Sequence, residues 1–352
     1  MKPIIKELEN IKKDGGLNIE GRKLPLEVYL CADWKFLALV LGLNAANSEY
    51  FCIWCLARKC ERSNLNINWN EFLRTLDKLR GGKCLDHLCT KRHKHGVKEA
   101  TILSSTIFSL DRIILDELHQ MLRIMDLLMN FVSEYAVRQK RAHLLTQICA
   151  CIGVEYKQIE SGQKGKKAEW SPLDGNQHRV LLLMFDKEER LDKILAGHKK
   201  LQTMKEIWKL YREINTYLHS EDPLHDNCSI KKVSQYEQKV GHFVNLVRET
   251  LGKKKVTPYL HALVAHVPSM IRMHRNIAQF SCSSQELKHF NQNRVFNNQV
   301  QPQRAAEQIL QVEHRRYWNI CHPDAFQGDL GKKRRRNGEC SPMDNYKKKQ
   351  RI

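Results

Sequence analysis

Several things are scarce in this chain of 352 residues, and most of these scarcities remove a class of protein. Long apolar runs are missing. The longest, Phe36 to Leu43, falls far short of the roughly 20 residues that a membrane-spanning helix requires. No secretory leader opens the sequence, so its 12 cysteines read as reduced thiols of the cytosol or nucleus, not as a disulfide framework. Acidic residues are in deficit, 39 against 59 Lys plus Arg, leaving a formal charge of +20. Such a surplus favours a polyanionic partner, because each neutralised phosphate releases condensed counterions. A solvated basic surface is the plainer explanation. Internal repeats are lacking too, which removes the solenoid architectures.

Strand-forming segments are few. Leu26 to Cys31 is a short β-prone run after Pro25, with Asp33 directly at its end. One strand cannot make a sheet. Either Ile19 to Cys31 and other short pieces pair with one another, or the remaining strands precede Met1, and the chain reads as truncated.

What is there is mostly helical, on a hydrophobic content of 42 %. Ile4, Ile5, Leu8 and Ile11 predict a helix over 1–13, closed by Gly15 and Gly16. Trp34 to Leu43 predicts another. The stripe Ile113, Ile114, Leu118, Met121, Leu122, Met125, Leu128 and Met129 predicts a long helix over 110–137. Further helices are expected over 139–156, over 177–219 with a break, and over 233–251. Residues 163–167 read as a basic loop. Pro258 to His266 is expected to end at Pro268 as a breaker, followed by a helix carrying Glu286 and a last one over 304–318. The polar tail from Gln327 reads as disordered.

Two half-sites carry the chemistry. Cys52-x-x-Cys55 presents two thiolates to one ion, and His261-x4-His266 can complete the Cys₂His₂ set that zinc takes in a closed structural site. Tyr50, Phe51 and Trp54 would pack around it. The competing reading is a chance pair of cysteines and two histidines lining a helix. Cys84, Cys89, His93 and His95 form a second candidate metal set, whose alternative is an exposed basic loop with incidental cysteines. Asp33 sits where sheet enzymes project catalytic acids, but equally where a helix N-cap belongs. Glu286 is open to the same doubling, since Ser283 and Glu286 spell a capping box. Asp111, Asp116 and Glu117 read as structural, with Asp116 in reach of His119 or Gln120.

These residues taken together resemble a known family: the catalytic core of the large subunit of the V(D)J recombinase and the related Transib-type cut-and-paste transposases. The resemblance runs from about Leu26 to Trp318. Tyr50-Phe-Cys-Ile-Trp-Cys55 is similar to the family's knuckle. Tyr259-Leu-His-Ala-Leu-Val-Ala-His-Val-Pro268 is similar to its second zinc half-site, and Leu173-Asp-Gly-Asn176 to a turn before a helix. The intervals from Asp33 to Cys52, nineteen residues, and from His266 to Glu286, twenty, are also the family's.

The resemblance implies an RNase H-like core with a large helical insertion. It implies structural zinc on Cys52, Cys55, His261 and His266, and catalytic carboxylates at Asp33 and Glu286. It also implies Mg²⁺ or Mn²⁺ for strand nicking and transfer. The family's first catalytic Asp has no counterpart here, since only Asp14 precedes Asp33 and it lies in a Gly-Gly turn.

The fold expected is therefore mostly α with a small α/β part. A partial RNase H-like core spans 1–50, the knuckle and helical insertion 51–283, helices with the catalytic-type Glu 284–326, and a basic tail 327–352. Arg315 and Arg316, interleaved with aromatics in His314 to Trp318, read as phosphate contacts or as a helix with an apolar edge. Lys332, Lys333, Arg334, Arg335 and Arg336 open a tail that resembles a bipartite nuclear-import signal, with non-specific polyanion binding as the alternative. The expected function is zinc-stabilised nuclear DNA binding without cleavage, with a homodimer by analogy and no membrane. The alternatives are a fragment of an active DNA-nicking enzyme, and a helical interaction scaffold with no nucleic-acid role.

Overall fold

The computed structural model describes residues 2–80, 95–160, 166–171, 173–187, 190–219, 230–299 and 304–321. The chain divides into two compact units, Met1–Cys282 and Ser283–Ile352. Among the described residues it is mostly helical, with three two-stranded sheets.

The first unit opens with α1 (Lys2–Lys13) and the antiparallel pair β1 (Leu17–Ile19) and β2 (Arg22–Leu24). Then comes β3 (Leu30–Ala32), shorter than the run its composition predicts. Asp33 caps α2 (Trp34–Val40), its side chain accepting a hydrogen bond from Phe36 N. The chain reverses at Gly42, whose φ of +68° suits glycine. A Cβ there would meet the Glu99 carbonyl oxygen at 2.1 Å.

After the short helix α3 (Leu76–Arg80), the expected long helix begins later than its apolar stripe suggests. Leu110–Arg112 is a 3₁₀ turn, and Ile113–Leu115 is strand β4, fully buried and paired in parallel with β3. β-branched residues in a short, wholly buried run favour a strand, and Asp116 then starts α4 (Glu117–Arg138) as its N-cap. Residues 139–156 are likewise not one helix. α5 (Ala142–Cys151) stops at Gly153, φ +71°, and β5 (Tyr156–Glu160) pairs with β6 (Lys166–Trp170).

The helical body follows as α6 (Gly175–Lys187), α7 (Arg190–Ile194), α8 (Leu201–Leu218) and α9 (Ile230–Leu251), so the expected break within 177–219 is present. Asp174 and Gln177 cap α6 reciprocally, each backbone N–H donating to the other's side chain at 2.7–2.9 Å. The core lies where α4, α6, α8 and α9 bury their stripes. Trp208 meets Phe185 edge-on and Tyr211 stacks on Phe243.

Two short helices complete the unit, α10 (Pro258–Ala265) and α11 (Val267–His274). Thr257 caps α10, with Leu260 N donating to its hydroxyl. Pro268 does not break the chain: it lies in the first turn of α11, where its missing N–H costs nothing. The second unit contains α12 (Ser283–Gln299) and α13 (Ala305–Cys321).

Candidate metal centre

The knuckle and the α10–α11 corner meet in the interior of the first unit. Cys52 Sγ lies 3.3 Å from His266 Nε2, and Cys55 Sγ lies 3.3 Å from His261 Nε2. All four ligand atoms fall within 4.8 Å of one another, and all four residues are buried. Zn–S bonds of about 2.3 Å and Zn–N bonds of about 2.0–2.1 Å, set at a tetrahedral angle, place sulfur and nitrogen roughly 3.5 Å apart. The spacing therefore fits one ion, and the donor set is compatible with structural zinc.

Local structure explains how each ligand is aimed. The knuckle is held from behind by Arg74 N donating to Trp54 O at 2.8 Å and Leu56 N donating to Phe72 O at 3.0 Å. Trp54 Nε1 donates to Ile113 O at 2.8 Å, which ties the knuckle to β4. One helical turn separates His261 from Thr257, and His266 closes α10 with its N–H on Ala262 O, so the two imidazoles converge across the bend.

The surroundings are aromatic. Phe51 and Trp69 stand edge-on to the His261 ring at 5.1 and 5.3 Å, and Trp54 tilts against His266 at 5.5 Å. Tyr50 is not part of this shell; it packs edge-on to His95 at 5.1 Å. Trp69 and Arg74 belong to the site although no sequence pattern marks them. Arg74 is almost completely buried and donates through Nε to Cys52 O at 3.0 Å and through Nη1 to His95 O at 2.8 Å.

Electrostatics shows what the cluster needs. Burial opposes ionisation of both thiols. At Cys52 the Cys55 hydrogen bond and the facing His266 and His261 outweigh burial, holding that thiol well below its ordinary range. At Cys55 burial and the neighbouring Cys52 push the thiol far up. Burial also lowers the pKa of His261. A divalent cation resolves the conflict: two thiolates and two neutral imidazoles around a 2+ ion carry no net charge into the apolar interior. A tie between Cys52 and His266 also spans 214 residues of chain. A cross-link of that span removes about 5 kcal/mol of denatured-state entropy.

The remaining predicted residues are placed as follows. Asp33 is half-buried at the end of β3, and Oδ1 accepts from Phe36 N at 2.8 Å. Glu286 lies in the first turn of α12, with His289 Nδ1 at 3.9 Å. Arg315 is exposed on α13, its Nε donating to Gln311 O at 3.3 Å. Of the second metal set, His95 is described, with φ +46°, while Cys84, Cys89 and His93 lie outside the described residues. The side chain of Arg316, residues 163–165 of the basic loop, and the tail with Lys332 to Arg336 lie outside them as well. Asp116 reaches His119 as expected: Oδ2 accepts from His119 N at 3.1 Å and contacts the ring Nδ1. In comparisons with known proteins, no family matches the chain and no curated protein does.

Proposed function

We propose that this chain is a zinc-stabilised DNA-binding protein of transposase ancestry, similar to the V(D)J recombinase and Transib catalytic cores, that holds DNA in the nucleus without cutting it. The observation that carries the reading is the convergence of Cys52, Cys55, His261 and His266 in one buried cluster, at the spacing that the resemblance rests on. Two further features agree with it. Asp33 directly follows a strand paired in parallel with β4, as in a piece of an RNase H-like core, and the chain carries a formal charge of +20. In this reading β3, β4 and α2 belong to that core, and the helical body up to α11 is its insertion. A second copy of the chain would pair through that insertion.

The non-cleaving part of the reading agrees with the surroundings of Asp33. Its carboxylate caps α2, and among the described residues of the first unit no group of three metal-capable side chains includes it. In-line phosphodiester displacement uses two held divalent ions, Mg²⁺ or Mn²⁺.

Binding of a labelled duplex, followed by anisotropy across a salt series, tests the proposal. The affinity is expected to fall steeply, with a log–log slope of about −0.9 per phosphate contacted, and to vanish when zinc is chelated. A salt-insensitive affinity, or none, would overturn DNA binding. A Mg²⁺- or Mn²⁺-dependent nick that disappears in Glu286→Gln would overturn the non-cleaving part alone.

A further inference from the structure

A second group of metal-capable side chains lies outside the Cys₂His₂ cluster and takes no part in the function proposed above. Cys31 sits in β3, Asp116 at the junction of β4 and α4, and Cys282 at the last residue of the first unit. One ligand atom from each lies within 4.8 Å of the others. The Cys31 and Cys282 sulfurs are 4.0 Å apart, and Cys282 Sγ also approaches the Cys31 carbonyl oxygen at 3.6 Å. We infer that Cys31, Asp116 and Cys282 form a three-ligand site for a thiophilic divalent cation of the zinc class.

The geometry carries this in three ways. Two Zn–S bonds of about 2.3 Å at a tetrahedral angle hold their sulfurs roughly 3.8 Å apart, close to the separation present. The carboxylate is already aimed. Asp116 is 1 % exposed; its Oδ1 accepts from Cys282 N at 2.9 Å, while Oδ2 accepts from His119 N and contacts the His119 ring. Oδ1 thus keeps a lone pair, and His119 orients the carboxylate from behind, as outer partners of metal ligands do. Finally, the three ligands differ in burial: Cys31 is half-buried, whereas Asp116 and Cys282 are buried. Three protein ligands leave a fourth position that water or another small ligand would fill.

The ion would tie the end of the first unit to the β3–β4 pair, over a chain separation of 251 residues between the two cysteines. The two groups share no residue.

Zinc per chain, measured on the full-length protein purified under reducing conditions, tests the inference. Cys31→Ser/Cys282→Ser is expected to carry one zinc fewer than the parent with its helical circular dichroism kept. Cys52→Ser should lose a different zinc. An unchanged zinc content in the double variant would overturn the site. So would a Cys31–Cys282 disulfide, seen as an intact mass two hydrogens lighter that reductant restores. Should the double variant fail to fold, ¹¹³Cd NMR of the parent and of Cys31→Ser alone decides. A cadmium resonance lost in Cys31→Ser supports the site, and a spectrum identical in the two overturns it.

Discussion

Asp33 and Asp116 occupy equivalent positions and have different fates. Both follow directly on one of two strands paired in parallel, and both cap the helix that comes next. Asp33 is half-buried and makes one bond, to the first turn of α2. Asp116 is sealed in and makes bonds to two elements, its own helix and the backbone of Cys282. A carboxylate at a strand end is thus a location and not yet a role. The role follows from what else reaches the oxygens and from whether water does. The Cys₂His₂ cluster is the limiting case, with all four residues buried and aromatic rings packed on both histidines.

That gradient, from sealed cluster to sealed carboxylate to half-open cap, orders the expected effects. If the cluster holds structural zinc as proposed, Cys52→Ser, or chelation of the parent, should cost the fold at least about 4 kcal/mol, since losing a structural metal lies in the severe tail of single changes. A thermal melt with and without chelator measures it, and an unaltered midpoint would show that the cluster stands without an ion. Asp116→Ala should cost about 3 kcal/mol, because it removes a helix cap and strands the buried Cys282 N–H. Urea titration gives that value, and a cost below that of Asp33→Ala would erase the distinction between the two strand ends.

Acid sensitivity separates metal release from ordinary buried imidazole. His178 is buried, its Nδ1 is 2.9 Å from Asp174 O, and burial lowers its pKa. The unfolded chain therefore takes up a proton below about pH 6.5 that folded His178 refuses, so stability falls as pH drops through that point. The slope from this one group is at most about 1.4 kcal/mol per pH unit. His178→Gln should flatten that limb without changing zinc content; a limb of the same steepness would assign it elsewhere. The smallest effect belongs to Asp33. Replacing it by Ala should cost about 1 kcal/mol and by Asn little, as befits an N-cap. A large loss with Asn would mean that the charge, not the cap, matters there.

The site was more legible in the sequence than the elements that hold it. Cys-x-x-Cys and His-x4-His have spacings set by ligand geometry, and those survive whatever fold surrounds them. β4 was hidden because Ile113, Ile114 and Leu115 continue the apolar stripe of α4, and periodicity cannot separate a short buried strand from a helix start. The β5–β6 hairpin was masked in the same way, since Tyr156 extends the apolar run of α5 past Gly153. Pro268 marks a helix boundary, but the sequence does not say whether a helix ends or begins there. Trp69 and Arg74 could not be assigned to the cluster. They lie in a polar, basic stretch, and only the pairing of Cys55 with Leu73 turns that stretch inward.

The aromatic casing of the cluster has an optical consequence. Of the six tryptophans in the chain, Trp54 and Trp69 lie against its two histidines, and Trp34 stands edge-on to Trp54 at 5.6 Å. Excitation absorbed by any of the three can pass among them to the indoles beside the imidazoles. Filling the site with a paramagnetic, visible-absorbing ion such as Co²⁺ would therefore dim a large share of the intrinsic emission, and removing it would restore the light. That change in emission would gauge metal occupancy in dilute solution without a label.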